Sequence, residues 1–339
     1  MSANSSAIRW AVPNVDDAPL ESVRFHGLKT GPKLIVVGAV HGNETCGPNA
    51  IVRAIDDCRA GRLVIRRGEV TFVPVANAKA YRQNTREGDR NLNRDLRERP
   101  LPVDNEDRIG NPLTALLRQH DVLLDIHSFR GEGKPFVFFG PEDNAGELEA
   151  FRHATAEAAF AACLGTDILI HGWLDIYVAL IAARERLALP PLAVTEGFGT
   201  TEYMRFAGGY GVTLECGQHD DPAAADIGHA AIHNALVHLG IAVRRTASLH
   251  SPMVDAALPA RRRPAVIHMN DLVICETPGD KLEGQWRTGD SVTAGQPVAR
   301  RVDGELVSAP RDGYIIFPNA NAKLGEAICY LGVRSARGA

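Results

Sequence analysis

His41-Gly42-Asn43-Glu44 follows directly on the apolar run 34–40, and a second imidazole, His127, ends the run 122–126. A His and a Glu three residues apart can turn toward one point where a strand gives way to a helix, and one more imidazole completes a His2Glu set. Three protein ligands leave the fourth position of a zinc ion to water, as hydrolytic zinc sites require. Strand ends are also where open α/β sheets place their sites. One Zn2+ per chain, on His41, Glu44 and His127, is the expectation. Asp125, two residues before His127, is either a carboxylate that orients that ligand or an ordinary strand-end polar residue. Glu215 closes the run 211–214 ahead of Cys216-Gly217. Beside a metal water and in apolar surroundings it would have the raised pKa of a general base; the alternative is a Glu that caps the turn into the next helix.

Asp89-Arg90-Asn91-Leu92-Asn93-Arg94-Asp95 packs Arg and Asn densely into one loop, with Arg86 just before it. Arginine forks take carboxylates bidentately and Asn adds directional donors, so the loop is a candidate clamp for an acidic substrate. The alternative is a solvated charged loop. Arg205, in Glu202-Tyr203-Met204-Arg205, carries no signal by itself.

The elements that must position these residues alternate. Short β-branched, near-continuously apolar runs at 34–40, 70–75, 122–126, 136–139, 168–170, 192–195 and 211–214 read as strands covered by helices on both faces. Between them, 48–60, 112–119, 146–164, 175–187 and 221–239 have helical character, which makes the region an α/β sheet. Near residue 248 the pattern changes. His250-Ser251-Pro252 and the Pro- and Arg-rich stretch 259–264 have no period and mark a boundary, giving a catalytic domain over 1–247 and a β-rich capping module over 248–339. Beyond it, Pro278-Gly279-Asp280, Thr288-Gly289-Asp290, Asp303-Gly304 and Asp312-Gly313 place turns at the density of a small all-β module. The segment 289–298 is similar to the barrel-sandwich repeat of biotinyl/lipoyl-type domains. A carrier's modifiable Lys belongs at a hairpin tip, whereas Lys281 precedes the repeat, so the module reads as a structural cap.

The remaining composition is exclusive. The 339 residues are 45% hydrophobic, enough for a sizeable core. A net charge of -4 argues against a nucleic-acid surface, and the basic Arg261-Arg262-Arg263 reads as a solvated linker. The first fourteen residues lack a signal-peptide pattern, and no run approaches the ~18 apolar residues of a spanning helix, so no membrane association is expected. Cys46, Cys58, Cys163, Cys216, Cys275 and Cys329 are scattered without CxxC pairs and read as reduced thiols in a cytoplasm.

Taken in order, His-Gly-Asn-Glu, Asn-Leu-Asn-Arg, Asp-Ile-His-Ser and Leu-Glu-Cys-Gly resemble the succinylglutamate desuccinylase/aspartoacylase family, part of the zinc carboxypeptidase superfamily. The resemblance implies a zinc-carboxypeptidase-like mixed sheet flanked by helices. It implies His41, Glu44 and His127 as zinc ligands, Glu215 as general base, and Arg86 on the scissile carbonyl. Asn93 and Arg94 fall on the family's substrate-clamping pair, and Arg205 on an Arg that binds a substrate carboxylate. Where aspartoacylases use a Tyr from the C-terminal module, the comparable stretch here is Asn319-Ala320-Asn321-Ala322-Lys323, and no matching motif falls in 170–201. The implied reaction is hydrolysis of the amide of a small, carboxylate-bearing N-acyl amino acid to a carboxylate and a free amine. The alternative is a metallocarboxypeptidase acting on short peptides. The family's precedents leave homo-oligomerisation open.

Overall fold

Alternation along the first buried strands sets the layers of the molecule. A computed structural model describes residues 11, 19–146, 148–244 and 263–337. In chain order it begins β1 (Val23–His26), β2 (Lys29–Gly38), α1 (Cys46–Arg59), β3 (Leu63–Ile65), β4 (Arg67–Val73), α2 (Ala78–Gln83) and α3 (Asn105–Leu117). There follow β5 (Val122–Phe129), β6 (Phe136–Phe138), α4 (Ala154–Cys163), β7 (Ile168–His171) and α5 (Trp173–Arg186). A 3-10 turn (Val194–Gly197) leads to α6 (Thr200–Phe206), β8 (Tyr210–Gln218), α7 (Ala223–His238) and β9 (Ala242–Arg244). The last segment holds β10 (Ala265–Ile274), β11 (Lys281–Leu282), β12 (Ser291–Val292), β13 (Pro297–Arg300), β14 (Leu306–Ser308), β15 (Gly313–Ile316) and β16 (Ala327–Arg334).

Successive strand residues point to opposite faces. Leu34 and Val36 therefore enter a core with Ile51 and Ile55 of α1, Phe160 of α4 and Ile232 of α7. Ile35 and Val37 enter another, with Leu113 and Leu117 of α3 and Met204 of α6. Both faces are covered, which is why all eight residues of β5 are buried. The principal sheet has eleven strands in the order β1-β4-β2-β5-β8-β6-β7-β10-β16-β15-β12. Its centre is parallel, whereas β6 runs antiparallel to β8. The α/β sheet expected from the alternation is thus present, with the mixed character implied by the resemblance, and it does not stop at the catalytic region: β10 pairs in parallel with β7, Ala265 opposite Ile168. The expected boundary at 247/248 lies outside the described residues. After it the described chain is all strand and turn, divided between this sheet and a three-stranded one, β11-β13-β14.

Several elements differ from expectation for identifiable reasons. The run 192–195 is no strand but leads into the 3-10 turn Val194–Gly197, with the Thr195 and Phe198 carbonyls accepting from the amides of Asp95 and Leu96 in the arginine-rich loop. α3 starts seven residues before Pro112, since the Asp104 side chain accepts from the Asp107 amide and caps it there. α4 starts only at Ala154, whose amide donates to Asp143. The preceding segment is a loop wound around the Asn144 side chain, which bonds Glu142 O, Glu149 O and the Gly146 amide.

Candidate metal and catalytic site

β2 ends at Gly38, and the chain turns through Ala39 in the left-handed region (φ 46°) before presenting His41. Gly42 is required here, because a Cβ on it would lie 2.0 Å from the backbone of Ala80 in α2. Glu44 follows just ahead of α1, and His127 comes from within β5, which runs three residues past the expected strand end. The three ligand atoms converge: His41 Nδ1 lies 2.9 Å from Glu44 Oε1, and His127 Nδ1 lies 2.9 Å from Glu44 Oε2. Each imidazole is held from behind. The Asn93 amide donates to Asn91 Oδ1, which orients that oxygen as the acceptor for His41 Nε2 at 3.0 Å. Asp125 Oδ2, which also accepts from Thr200 Oγ1, lies 2.9 Å from His127 Nε2. Asp125 is thus placed where a carboxylate orients a ligand.

This donor set fits a zinc ion. Burial lowers the His41 pKa to about 4, so the ring is neutral and carries one proton. With that proton on Nε2 toward Asn91, the Nδ1 lone pair faces a carboxylate oxygen with nothing between them; a cation resolves that opposition. For His127, burial pulls the pKa down, but Asp125 and Glu44 on its two sides outweigh it and raise it well above the ordinary imidazole value.

Glu215 sits beside His127, directly opposite it in the β5–β8 register. Burial, with help from Glu44 and Asp125 and against His127 and Arg86, pushes its carboxyl up to about 8. Its Oε2 has no hydrogen-bond partner among the described residues. Arg86, half exposed, reaches in with Nη1 at 3.0 Å from Glu44 Oε1.

The arginine-rich loop is a built structure and not a solvated run. The buried Glu106 carboxylate accepts from the amides of Gly88, Asp89 and Arg90 and from the side chains of Asn77 and Asn105. Arg90 is consumed as an anchor, on Asp104 at 2.8 Å and Asp107 at 2.5 Å. Asn93 Oδ1 accepts from the Thr200 amide, and a Cβ at Gly199 would come 2.2 Å from that oxygen. Arg94 turns into the cavity, its guanidinium 5.2 Å from the centre of the Trp173 ring. No carboxylate among the described residues forms an ion pair with it, and burial together with Arg86 lowers its pKa.

Arg205 differs from the expectation of a residue on a substrate carboxylate. Its guanidinium is enclosed by Glu149 (2.5 Å), Glu157 (3.0 Å) and Glu202 (3.2 Å), and it also donates to Gly211 O. Its donors are committed inside the protein.

These groups line one cavity of about 1450 Å³. His41, Glu44, His127, Arg86, Arg94 and Glu215 line it, together with Trp286, Phe317 and Tyr330 from the last segment. Residues 30–235 match the succinylglutamate desuccinylase/aspartoacylase catalytic domain. The chain belongs to that family. It is a family of hydrolases that cleave the amide of N-acyl amino acids. No curated protein sequence matches the chain. Among solved structures, the product-bound ectoine utilization protein EutE (DoeB) from Ruegeria pomeroyi is similar at 23% identity, with 93% of this chain and 88% of that chain covered and a TM-score of 0.66. A succinylglutamate desuccinylase/aspartoacylase from Rhodobacter sphaeroides aligns at 17% identity over 93% of this chain and 89% of its own, TM-score 0.66. The succinylglutamate desuccinylase from Vibrio cholerae does so at 16% identity over 92% and 85%, TM-score 0.65. At such identities these structures establish a shared fold.

Within this family site, three contributors escaped the sequence reading. Asn91 lies inside the loop already singled out but was not separated from its neighbours. Gly199 shows itself only through what presses on it. Tyr330 is a tyrosine of the last segment, in β16 and not in the stretch 319–323. It lines the cavity near Arg94, whose charge eases a phenol pKa that burial raises.

Proposed function

We propose that this chain is a zinc-dependent amidohydrolase of a small, carboxylate-bearing N-acyl amino acid. The observation that carries the reading is the convergence of His41 Nδ1, His127 Nδ1 and the Glu44 carboxylate next to the unpartnered oxygen of Glu215. Zinc held by those three residues supplies an acidified water and Lewis acidity toward the amide carbonyl. Glu215 Oε2 takes the proton of the attacking water and returns it to the leaving nitrogen. The Arg86 guanidinium, at the edge of the metal ligands, holds the oxyanion that develops on the carbonyl. Arg94, with Asn93 fixing the loop beneath it, takes the substrate carboxylate and restrains the amide in attack geometry. Arg205 we assign to the cavity wall. Residues 1–247 act in this reading as the hydrolase, and 248–339 as a cap that narrows access from one side, in a cytoplasmic enzyme.

A second reading, trimming of short peptides from their carboxyl end, is favoured by one observation: the cavity exceeds the ~300–1,000 Å³ usual for small ligands. A panel of N-acetyl, N-succinyl and N-formyl amino acids and peptides of increasing length, assayed with zinc-loaded and chelated enzyme, separates the two. Zinc-dependent amine release from one acyl amino acid is expected. Activity confined to peptides transfers the chain to the second reading, and activity undiminished by chelation removes the metal from both.

A further inference from the structure

Away from the cavity, another set of side chains repeats the donor chemistry of the first. α7 carries His229 and His233 one helical turn apart, so both rings leave the same face. α1 packs beside α7 and offers Asp57. Both Nε2 atoms lie 2.7 Å from a single oxygen, Asp57 Oδ2. The other oxygen is occupied by Arg62 Nε at 2.6 Å, which orients the carboxylate so that Oδ2 faces the histidines. As in the set of His41, Glu44 and His127, the ligand atoms all lie within 4.8 Å of one another. Their side chains keep 12% (Asp57), 21% (His229) and 13% (His233) exposure, enough for an ion and a completing water to enter.

The two arginines at the cluster are both paired with carboxylates. Arg62 is matched by Asp57 itself, and Arg53 by Asp226 at 2.6 Å. Arg53 Nη2 also stands 3.4 Å from His229 Nδ1, a long contact that yields when Nδ1 takes the ring proton.

The geometry points to a second zinc site, formed by Asp57, His229 and His233 and separate from the catalytic set. Two imidazoles and a carboxylate suit zinc among the common divalent ions. None of the three residues lines the cavity that holds His41, Glu44 and His127, and the ion would tie helix to helix. The tie is well placed. α1 begins just behind Glu44 and α7 follows the strand that carries Glu215, so an ion here braces both supports of the active site from the outside.

The test is zinc stoichiometry on the full chain, by titration of metal-free protein and by metal analysis after gel filtration, beside the thermal midpoint. Wild type is expected to hold two zinc ions. His233→Ala and Asp57→Asn are expected to hold one, to keep zinc-dependent hydrolysis, and to lose the part of the zinc-induced rise in midpoint that His41→Ala retains. His41→Ala is expected to hold one ion and to be inactive. One ion in wild type, still present in His233→Ala, overturns the proposal and leaves the catalytic reading intact. Two ions in wild type that both survive His233→Ala and Asp57→Asn overturn it as well. If His233→Ala fails to fold, His229→Gln with the same readout decides.

Discussion

Two buried arginines face the same cavity and live in opposite circumstances. Arg205 is surrounded by three carboxylates and a carbonyl, its side chain 3% exposed, with Phe151 against its guanidinium. Arg94 is flanked by Trp173 and the phenols of Tyr177 and Tyr330, with no carboxylate in ion-pair reach among the described residues. A buried charge is costly unless something answers it. Around Arg205 the protein answers internally, which builds structure. Around Arg94 no carboxylate among the described residues answers, and in the function proposed above the answer there, at Glu215 Oε2 and at the three converging side chains comes from substrate, water and metal. The family likeness offers both arginines for one role; the pairing tells them apart.

The largest effect should come from the unanswered side. Glu215→Gln keeps the shape and removes the base, so kcat should fall about 10²–10⁴-fold with zinc still bound. Metal content and steady-state kinetics measured together check this, and an unchanged kcat would show that an unpartnered carboxyl is no guide to function here. Next comes Arg205→Ala, which strands three carboxylates and should cost about 3–5 kcal/mol of stability. If urea unfolding is instead unaltered while KM rises, Arg205 touches substrate and the contrast collapses. Arg94→Ala should do the reverse, raising KM roughly 10–100-fold, the worth of a charge-assisted hydrogen bond, with a near-native unfolding midpoint.

The smallest effect concerns pH. Burial, aided by Glu202 and Glu157 and opposed by Arg205, raises the Glu149 pKa from 4.5 to about 7. Between those values the folded chain holds a proton that the unfolded chain has lost, so this group makes stability fall as pH rises through the window. Glu149→Gln should flatten that slope, seen in urea midpoints at pH 5 and pH 8. An equally steep slope in the variant would mean that another group carries it.

The strands were legible because parallel strands covered on both faces leave an unbroken apolar trace, as at 34–37 and 122–126. The convergence of His41, Glu44 and His127 was legible for a related reason: strand ends in such sheets are where chain turns bring side chains from neighbouring strands together. What stayed hidden depends on distance along the chain. Glu157 and Glu149 reach Arg205 from 48 and 56 residues away, and Tyr330 approaches Arg94 across most of the molecule. Nothing local announces such meetings. The late start of α4 and the early start of α3 turned on single side chains, Asp143 and Asp104, whose capping outweighed the apolar pattern around them.

The parallel pairing of β10 with β7 also governs how the chain can be cut. Ending it at the apparent boundary would not release an independent hydrolase, because β7 would become a bare edge with its amides and carbonyls unpaired. Ile168, Leu169 and Ile170, now buried, would stand along that edge. Such an edge recruits strands from other molecules, so the shortened protein should self-associate. During synthesis the same edge stays open until residues nearly a hundred positions later emerge from the ribosome, which makes β7 the segment that a chaperone has most reason to shield.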